Sequence, residues 1–172
     1  QKEITYQQTS QLFWNSGSGR MVDISEDSGP FFLEEIVARG LSAGDVDGDG
    51  DLDVLMTTNG GRAYLLRNDG PTGKAIAIKL RGEGGNKRAI GALVSVTSGE
   101  RTQTQMVRTG SSYLSHSPLE LAFGVGQVER VERVEIRWPD GTQESIEDVA
   151  TGRRYQITQG EGVVHTMDFS NL

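Results

Sequence analysis

The sequence predicts an all-β protein, with a four-stranded antiparallel sheet followed by a β-sandwich-like domain. The chain has 172 residues, of which 23 are glycine and only 4 are proline. Apolar and polar side chains alternate over short stretches that end at glycine-rich turns, which is typical of antiparallel sheets. No apolar run approaches the roughly 18 residues that a membrane-spanning helix needs, so we expect no membrane insertion. The length suits one large domain or two small ones, and we place two domains at residues 1–70 and 71–172.

The first segment is expected to form short strands at residues 11–15, 20–24, 52–57 and 63–67. The turn signals between them are Ser-Gly-Ser-Gly at residues 16–19 and Asn-Gly-Gly at residues 59–61. A less regular stretch, residues 29–35, is a candidate for a helical turn. Four strands in about 60 residues match the size of one β-propeller blade.

The second segment is expected to contain seven or eight antiparallel strands and no helix, which indicates a sandwich or a barrel. Its clearest strand covers residues 133–138, where Val134, Ile136 and Trp138 share one face and charged residues share the other. The Pro-Asp-Gly sequence that follows is a turn signal. The other expected strands cover residues 75–80, 91–97, 101–108, 119–123, 155–157 and 163–167.

The net charge of −7 is concentrated at one place in the chain. Residues 71–172 carry equal numbers of acidic and basic side chains, so the whole imbalance lies in residues 1–70. Crowded like charges destabilise a fold unless something neutralises them. Because phosphate binding needs a basic face, we expect no nucleic-acid partner. The chain has no cysteine, which excludes disulfides and thiolate metal sites.

The acidic residues cluster in the segment Asp-Val-Asp-Gly-Asp-Gly-Asp-Leu-Asp at residues 45–53, which predicts a calcium-binding loop. Calcium takes six to eight oxygen ligands, mainly from carboxylates and carbonyls. Alternate side chains of a tightly curled loop converge on one point, and glycines allow the curl. The expected ligands are the side chains of Asp45, Asp47, Asp49 and Asp53 and the backbone carbonyl of Asp51.

An EF-hand is excluded as the form of this loop, because it needs a glutamate at position twelve and a helix on each side. Position twelve is Met56, and Leu52, Val54 and Met56 alternate as in a strand. Two alternatives remain: a solvated turn without an ion, and a magnesium site, although magnesium prefers fewer protein ligands. A cage made of carboxylates leaves little room for a substrate, so we expect a structural ion.

The segment Gly-Leu-Ser-Ala-Gly at residues 40–44, followed by the aspartate loop, resembles an FG-GAP repeat. The Leu-Leu-Arg-Asn-Asp-Gly sequence at residues 65–70 is similar to a strand-ending piece of the same blades. The resemblance implies that Asp45, Asp47, Asp49 and Asp53, with the Asp51 carbonyl, are calcium ligands.

Residues 74–160 resemble the ASPIC/UnbV domain. The matching pieces are Asn-Lys-Arg-Ala-Ile-Gly-Ala at residues 86–92, Gly-Ser-Ser-Tyr-Leu-Ser at 110–115, Phe-Gly-Val-Gly at 123–126 and Trp-Pro-Asp-Gly at 138–141. The family usually has Gly-Tyr at residues 112–113 and leucine at residue 125. This domain typically follows FG-GAP or VCBS-type propeller blades in secreted proteins such as cartilage acidic protein.

The two resemblances together imply a calcium-binding structural or binding module at the C-terminal end of a secreted, periplasmic or cell-surface β-propeller protein. The partners they imply are upstream propeller blades, a protein or glycan ligand in an adhesion role, or a second copy of the chain in a homodimer. Family members also occur in enediyne biosynthetic clusters, so the alternative function is an enzyme or accessory factor of secondary metabolism.

The sequence contains no identifiable catalytic set, and we expect a protein that is not an enzyme. His116 stands among serines, but no Gly-x-Ser-x-Gly elbow is present, and a turn-capping or solvated histidine is the simpler interpretation. His165 is expected to be a half-buried strand residue. Lys87, Arg88 and Arg108 are candidates for a small basic patch that binds an anionic sugar or acid, with scattered surface charge as the alternative.

Overall fold

The computed structural model describes residues 6–69 and 73–169, and its regular elements are strands joined by turns and two short 3₁₀ helices. The all-β prediction is therefore confirmed. The first segment contains β1 (Gln8–Thr9), β2 (Phe13–Asn15), β3 (Met21–Asp23), β4 (Glu35–Ile36), β5 (Ala38–Gly44), β6 (Asp53–Thr58) and β7 (Tyr64–Leu66). The 3₁₀ helices are Ser25–Asp27 and Pro30–Leu33, and the second lies in the predicted helical turn.

The strands of the first segment form three separate antiparallel sheets where the sequence predicted one sheet of four strands. β5, β6 and β7 make a three-stranded meander, β2 pairs with β3 in a hairpin, and β1 pairs with β4. The two 3₁₀ helices separate β3 from β4, and the Ser25 hydroxyl accepts the Leu12 amide at 2.8 Å. The hairpin does not pair with the sheet β5–β7.

The second segment contains eight strands in two four-stranded sheets, which confirms the sandwich-like prediction. The strands are β8 (Lys74–Arg81), β9 (Leu93–Ser98), β10 (Arg101–Met106), β11 (Leu121–Gly126), β12 (Arg130–Arg137), β13 (Gln143–Ala150), β14 (Arg153–Thr158) and β15 (Gly162–Asp168). One sheet has the order β10–β9–β12–β13 and the other has the order β11–β8–β14–β15.

Two details of the sandwich differ from the prediction. β14 pairs with β8 in parallel, so the expectation of a wholly antiparallel arrangement is wrong for this pair. β13 was not predicted, because its sequence, Gln-Glu-Ser-Ile-Glu-Asp-Val-Ala, is mostly polar. Of its residues only Val149 is fully buried, while Ile146 packs partly against the core.

The hydrophobic core lies between the two sheets of the second segment. Trp138 and Phe123 are its largest fully buried members, each at most 1% exposed. Val134, Ile136 and Trp138 are all buried, as their alternation predicted. Trp138 directly follows β12, at a turn in which its carbonyl accepts the Gly141 amide at 2.9 Å. The core residues come from both sheets, so burial of apolar surface holds the sheets face to face.

A serine-rich loop of the second segment, residues 110–118, contacts β5 of the first. The Leu41 amide donates to the Ser112 hydroxyl at 3.3 Å, and the Ala43 amide donates to the Ser117 hydroxyl at 3.1 Å. A Cβ added at Gly40 would lie 2.3 Å from the Ser115 hydroxyl oxygen, so the approach requires glycine there. The two segments are thus joined by direct contacts. In the described ranges no helix has the length and hydrophobicity of a membrane-spanning segment.

Candidate metal centre and the adjoining cleft

The aspartate loop, residues 45–53, connects β5 to β6 in an antiparallel pair. Gly44 and Asp53 face each other across this pair, so the chain must reverse direction within the loop. Gly48 and Gly50 make this reversal with φ values of 89° and 98°, which side chains of L-residues rarely allow. The strand–loop–strand arrangement that the sequence predicted is present, with β6 beginning at Asp53.

The loop brings three of the predicted ligands together. One carboxylate oxygen from each of Asp45, Asp47 and Asp49 lies within 4.8 Å of the others. Calcium–oxygen distances are about 2.3–2.6 Å, so ligands on opposite sides of one ion are about 5 Å apart. The three oxygens are therefore close enough to one another to coordinate a single divalent cation.

Hydrogen bonds from the backbone of the loop hold these carboxylates in place. Asp45 Oδ1 accepts the Gly48 amide at 2.6 Å, and Asp49 Oδ1 accepts the Asp51 amide at 2.9 Å. Asp47 Oδ1 lies 3.4 Å from the Asp49 amide nitrogen in a longer contact. Each side chain folds back toward the loop that carries it, so the aspartates are oriented by the backbone before any cation arrives.

Asp53 and Asp51 differ from the three clustered residues. Asp53 is 1% exposed, and its two carboxylate oxygens accept the amides of Val46 at 2.8 Å and Asn68 at 2.9 Å. It therefore ties the start of the loop to the chain that follows β7. The cluster does not include the Asp51 side chain. Coordination by the Asp53 side chain and by the Asp51 carbonyl stays a prediction.

Two arginines from outside the loop contact its aspartates. Arg154 of β14 donates from Nη2 to Asp45 Oδ2 at 2.8 Å and from Nε to Glu120 Oε1 at 3.0 Å. Arg67 lies 3.6 Å from Asp47 and 2.6 Å from Asp69. The pKa of Arg67 is raised above its usual value, mainly by the hydrogen bond and the charge of Asp69. The charges of Asp47 and Asp49 add to this effect. Both cations offset part of the repulsion among the loop carboxylates.

Phe169 supports the loop from the second segment. A Cβ added at Gly50 would lie 2.7–2.9 Å from the Phe169 ring, so the ring packs directly against the backbone of the loop. The Arg154 guanidinium lies 5.6 Å from the centre of the same ring. Sequence reasoning did not identify Arg154 or Phe169, because both lie more than 100 positions from the loop and no local pattern marks them.

A cleft of about 690 Å³, here named the junction cleft, adjoins the loop. Its floor is the outer face of the sheet β11–β8–β14–β15, where Ala77, Ala122 and Arg154 lie on neighbouring strands. The cleft is also lined by the chain around Gly44 and Asp45 and by residues from the stretch 105–119. The Arg154–Asp45 contact lies along one side of this cleft.

The histidines and serines that sequence analysis considered for catalysis have other partners. His116 Nδ1 donates to the Ser117 backbone carbonyl at 2.8 Å, and the Ser111 and Ser117 hydroxyls contact each other at 3.2 Å. Ser112 and Ser117 also accept backbone amides of β5. These contacts are those of a turn-capping loop. His165 is exposed on β15 and borders the junction cleft, so the expectation that it is half-buried is wrong.

Comparison with known proteins gave matches for both segments. Residues 4–56 match the model of the FG-GAP-like repeat, and residues 82–164 match the model of ASPIC and UnbV. A search of curated proteins found no match. A solved structure from Bacteroides ovatus ATCC 8483, described as that of a candidate cell adhesion protein, aligns with 13% identity and a TM-score of 0.32.

That alignment covers 76% of this chain and 61% of the Bacteroides chain, so the present chain spans about three fifths of that protein. A TM-score of this size does not indicate a shared fold. The two family models are more informative, because their order along the chain is the one that the sequence motifs predicted. The chain combines an FG-GAP-like repeat with a following ASPIC/UnbV segment.

Proposed function

We propose that this chain is a calcium-stabilised binding module of a β-propeller-type protein. The observation that carries the proposal is the convergence of Asp45, Asp47 and Asp49 within 4.8 Å, on a loop of an FG-GAP-like repeat. All three side chains are partly buried, so their mutual repulsion is screened less than that of exposed groups. A divalent cation would convert this repulsion into coordination and stabilise the folded loop by linkage.

The effect of the ion would extend beyond the loop. Asp45 accepts a hydrogen bond from Arg154 of the second segment, and Gly50 packs on Phe169. Fixing the positions of Asp45 and Gly50 would therefore also fix the contact between the two segments. We infer that calcium acts as a structural ion, ordering the loop and through it the junction.

We further propose that the module works outside the cytoplasm, in a secreted, periplasmic or cell-surface protein, and recognises a protein or glycan ligand. Extracellular calcium is abundant enough to fill sites with dissociation constants of about 10⁻⁴–10⁻³ M. The exposed apolar side chains Phe13, Trp14 and Met21 of the β2–β3 hairpin support a covering partner. Neighbouring blades or a second copy of the chain would provide it.

A role without catalysis is part of this proposal. The serine hydroxyls near His116 receive backbone amides or pair with one another, which leaves them in a structural role. The three clustered aspartates are tied to backbone amides of their own loop. This arrangement suits an ion held by the protein better than an ion that activates water.

Isothermal titration of chelator-treated protein tests calcium binding directly. We expect saturable binding of calcium with a dissociation constant at or below about 1 mM, and weaker binding of magnesium. Asp45→Ala and Asp49→Ala should each weaken calcium binding at least tenfold. Asp27→Asn, an exposed acid in the first 3₁₀ helix, is the matched control and should bind like the wild type.

A calcium-dependent thermal transition tests the structural role. The melting temperature should be lower in chelator, and the shift should be absent in Asp45→Ala. Hydrogen exchange should place the protected amides in residues 45–53 and around Phe169. A melting curve that is the same with and without chelator would contradict the structural role. Equal heats of calcium binding for the wild type and Asp45→Ala in the titration would show that these aspartates do not form the calcium site.

A further inference from the structure

The floor of the junction cleft carries polar side chains whose positions follow from strand pairing. Lys79 of β8 pairs with Gln156 of β14, and Gln156 pairs with His165 of β15. Ile78 and Tyr155, one position earlier, are buried in the core between the sheets. Since successive side chains on a strand point to opposite faces, Lys79, Gln156 and His165 form a row on the outer face. All three border the cleft.

Within the described residues, two cations at the cleft form no ion pair, whereas Arg154 forms two. Arg154 is paired with Asp45 and Glu120, which are the acidic residues bordering the cleft. Lys79 and Arg108 are exposed, and neither forms an ion pair within residues 6–69 and 73–169. Lys79 comes from β8 on the floor, and Arg108 comes from the stretch after β10. The cleft therefore has an excess of positive charge in a molecule whose net charge is −7.

The remaining lining is small or aliphatic. Ala77 and Ala122 leave the floor open, while Leu119 and Met167 add apolar surface. Carbohydrate sites commonly use a free aromatic face, but the Phe169 ring is already covered by Gly50 and Arg154. A cleft of about 690 Å³ is within the range of small-molecule sites, which also occur preferentially between domains.

We propose that the junction cleft binds a small amphipathic carboxylic acid, whose carboxylate contacts Lys79 and Arg108 and whose aliphatic body lies over Ala77, Ala122 and Met167. A guanidinium offers a carboxylate two parallel hydrogen bonds, and a lysine adds a point charge. Gln156 and His165 provide further polar contacts beside Lys79. The site adjoins the clustered aspartates through Asp45, but its cations belong to β8 and to the stretch after β10.

Titration with octanoate tests this site, with octanamide as a neutral molecule of the same length and glucuronate as an acidic sugar. We use the full chain with calcium held constant and follow binding by nuclear magnetic resonance. Octanoate should bind with the largest shifts at Ala77, Ala122 and Met167, and octanamide and glucuronate should bind at least tenfold more weakly. Lys79→Gln and Arg108→Gln should each weaken octanoate binding at least fivefold.

The double variant Lys87→Gln/Arg88→Gln is the matched control, because both residues are exposed cations that do not border the cleft. It should bind octanoate like the wild type. Ala122→Leu fills the floor without changing charge and should also weaken binding. Equal binding of octanoate and octanamide would overturn the role of the cations. Stronger binding of glucuronate would overturn the class of ligand, and no binding of octanoate would overturn the site; none of these results depends on calcium binding.

Discussion

The two segments of this chain reach their folded forms by different means. In the described residues, the large apolar core belongs entirely to the ASPIC/UnbV segment, where Trp138, Phe123 and Ile136 are at most 1% exposed. Among residues 6–69, the buried apolar side chains are Val37 and Met56, and Asp53 is as buried as the core residues of the other segment. One segment is organised by hydrophobic burial and the other by an acidic loop.

This difference suggests where each segment is vulnerable. A sandwich core of close-packed side chains loses stability mainly when its volume changes. A thin set of small sheets depends on a few polar contacts, on the proposed cation and on the surfaces that cover it. We therefore expect the second segment to be most sensitive to changes in side-chain volume and the first segment to be most sensitive to the loss of polar contacts.

The largest effect should come from emptying the core of the sandwich. Phe123 is fully buried, so Phe123→Ala should lower the free energy of unfolding by about 3–5 kcal/mol. Trp14→Ala, at a residue 56% exposed on the β2–β3 hairpin, should change it by less than about 0.5 kcal/mol. Urea unfolding followed by circular dichroism measures both. Comparable losses in the two variants would mean that the hairpin packs more tightly than its exposure indicates.

The next effect should come from Asp53, the buried acid of the FG-GAP-like segment. Asp53→Ala removes the acceptor of the Val46 and Asn68 amides, two part-buried hydrogen bonds to a charged group, and we expect a loss of about 1–3 kcal/mol in all. Residue-resolved hydrogen exchange should show lost protection at these amides, while amides of β12 stay protected. Asp69→Ala, whose side chain is 60% exposed, is the control. Loss of protection throughout the sandwich would show that the segments unfold together.

A smaller effect should follow from breaking the contact between segments at Arg154. Arg154→Met removes hydrogen bonds to Asp45 and Glu120, which at this partial burial we expect to cost about 1–2 kcal/mol. Its neighbour Arg153 forms an exposed ion pair with Asp168, so Arg153→Met should cost at most about 1 kcal/mol. Faster amide exchange in residues 45–53 only in Arg154→Met would show that the arginine orders the loop. Equal exchange in the two variants would contradict that role.

The smallest effect concerns pH and lies within the sandwich. The Thr142 hydroxyl and then its backbone amide hold the pKa of Asp140 below its ordinary value of 3.8, with a further contribution from Gln159. Because the folded-state pKa is lowered, this contact stabilises the protein above pH 3.8 and is lost as the pH falls through the lowered value. The stability difference between wild type and Asp140→Asn should vanish at low pH. If the stability difference between the two proteins persists at low pH, it does not come from the ionised carboxylate of Asp140.

The parts of the structure that could be predicted from the sequence are those that local patterns determine. Val134, Ile136 and Trp138 alternate on a strand whose neighbours are charged, and all three are buried. Asp45, Asp47 and Asp49 are close in sequence, so the turn at Gly48 and Gly50 is enough to bring their carboxylates together. In both cases the relevant contacts lie within a few residues of one another.

The parts that were missed depend on contacts between distant residues. The parallel pairing of β14 with β8 joins strands more than 70 positions apart. The alternation of apolar and polar residues along a strand shows which face is buried, but it does not show which other strand will pair with it. The same holds for Arg154, whose contact with Asp45 spans 109 positions. β13 was missed for another reason, because its outward-facing residues are mostly charged and few of its side chains reach the core.

The serine-rich loop on β5 has a mechanical consequence. An edge strand with free amides can recruit a strand from another molecule, and hydroxyl groups now occupy the amides of Leu41 and Ala43. Because both acceptors are side-chain hydroxyls of the second segment, separating the two segments would free these amides and expose the edge of β5 while β5, β6 and β7 stay paired.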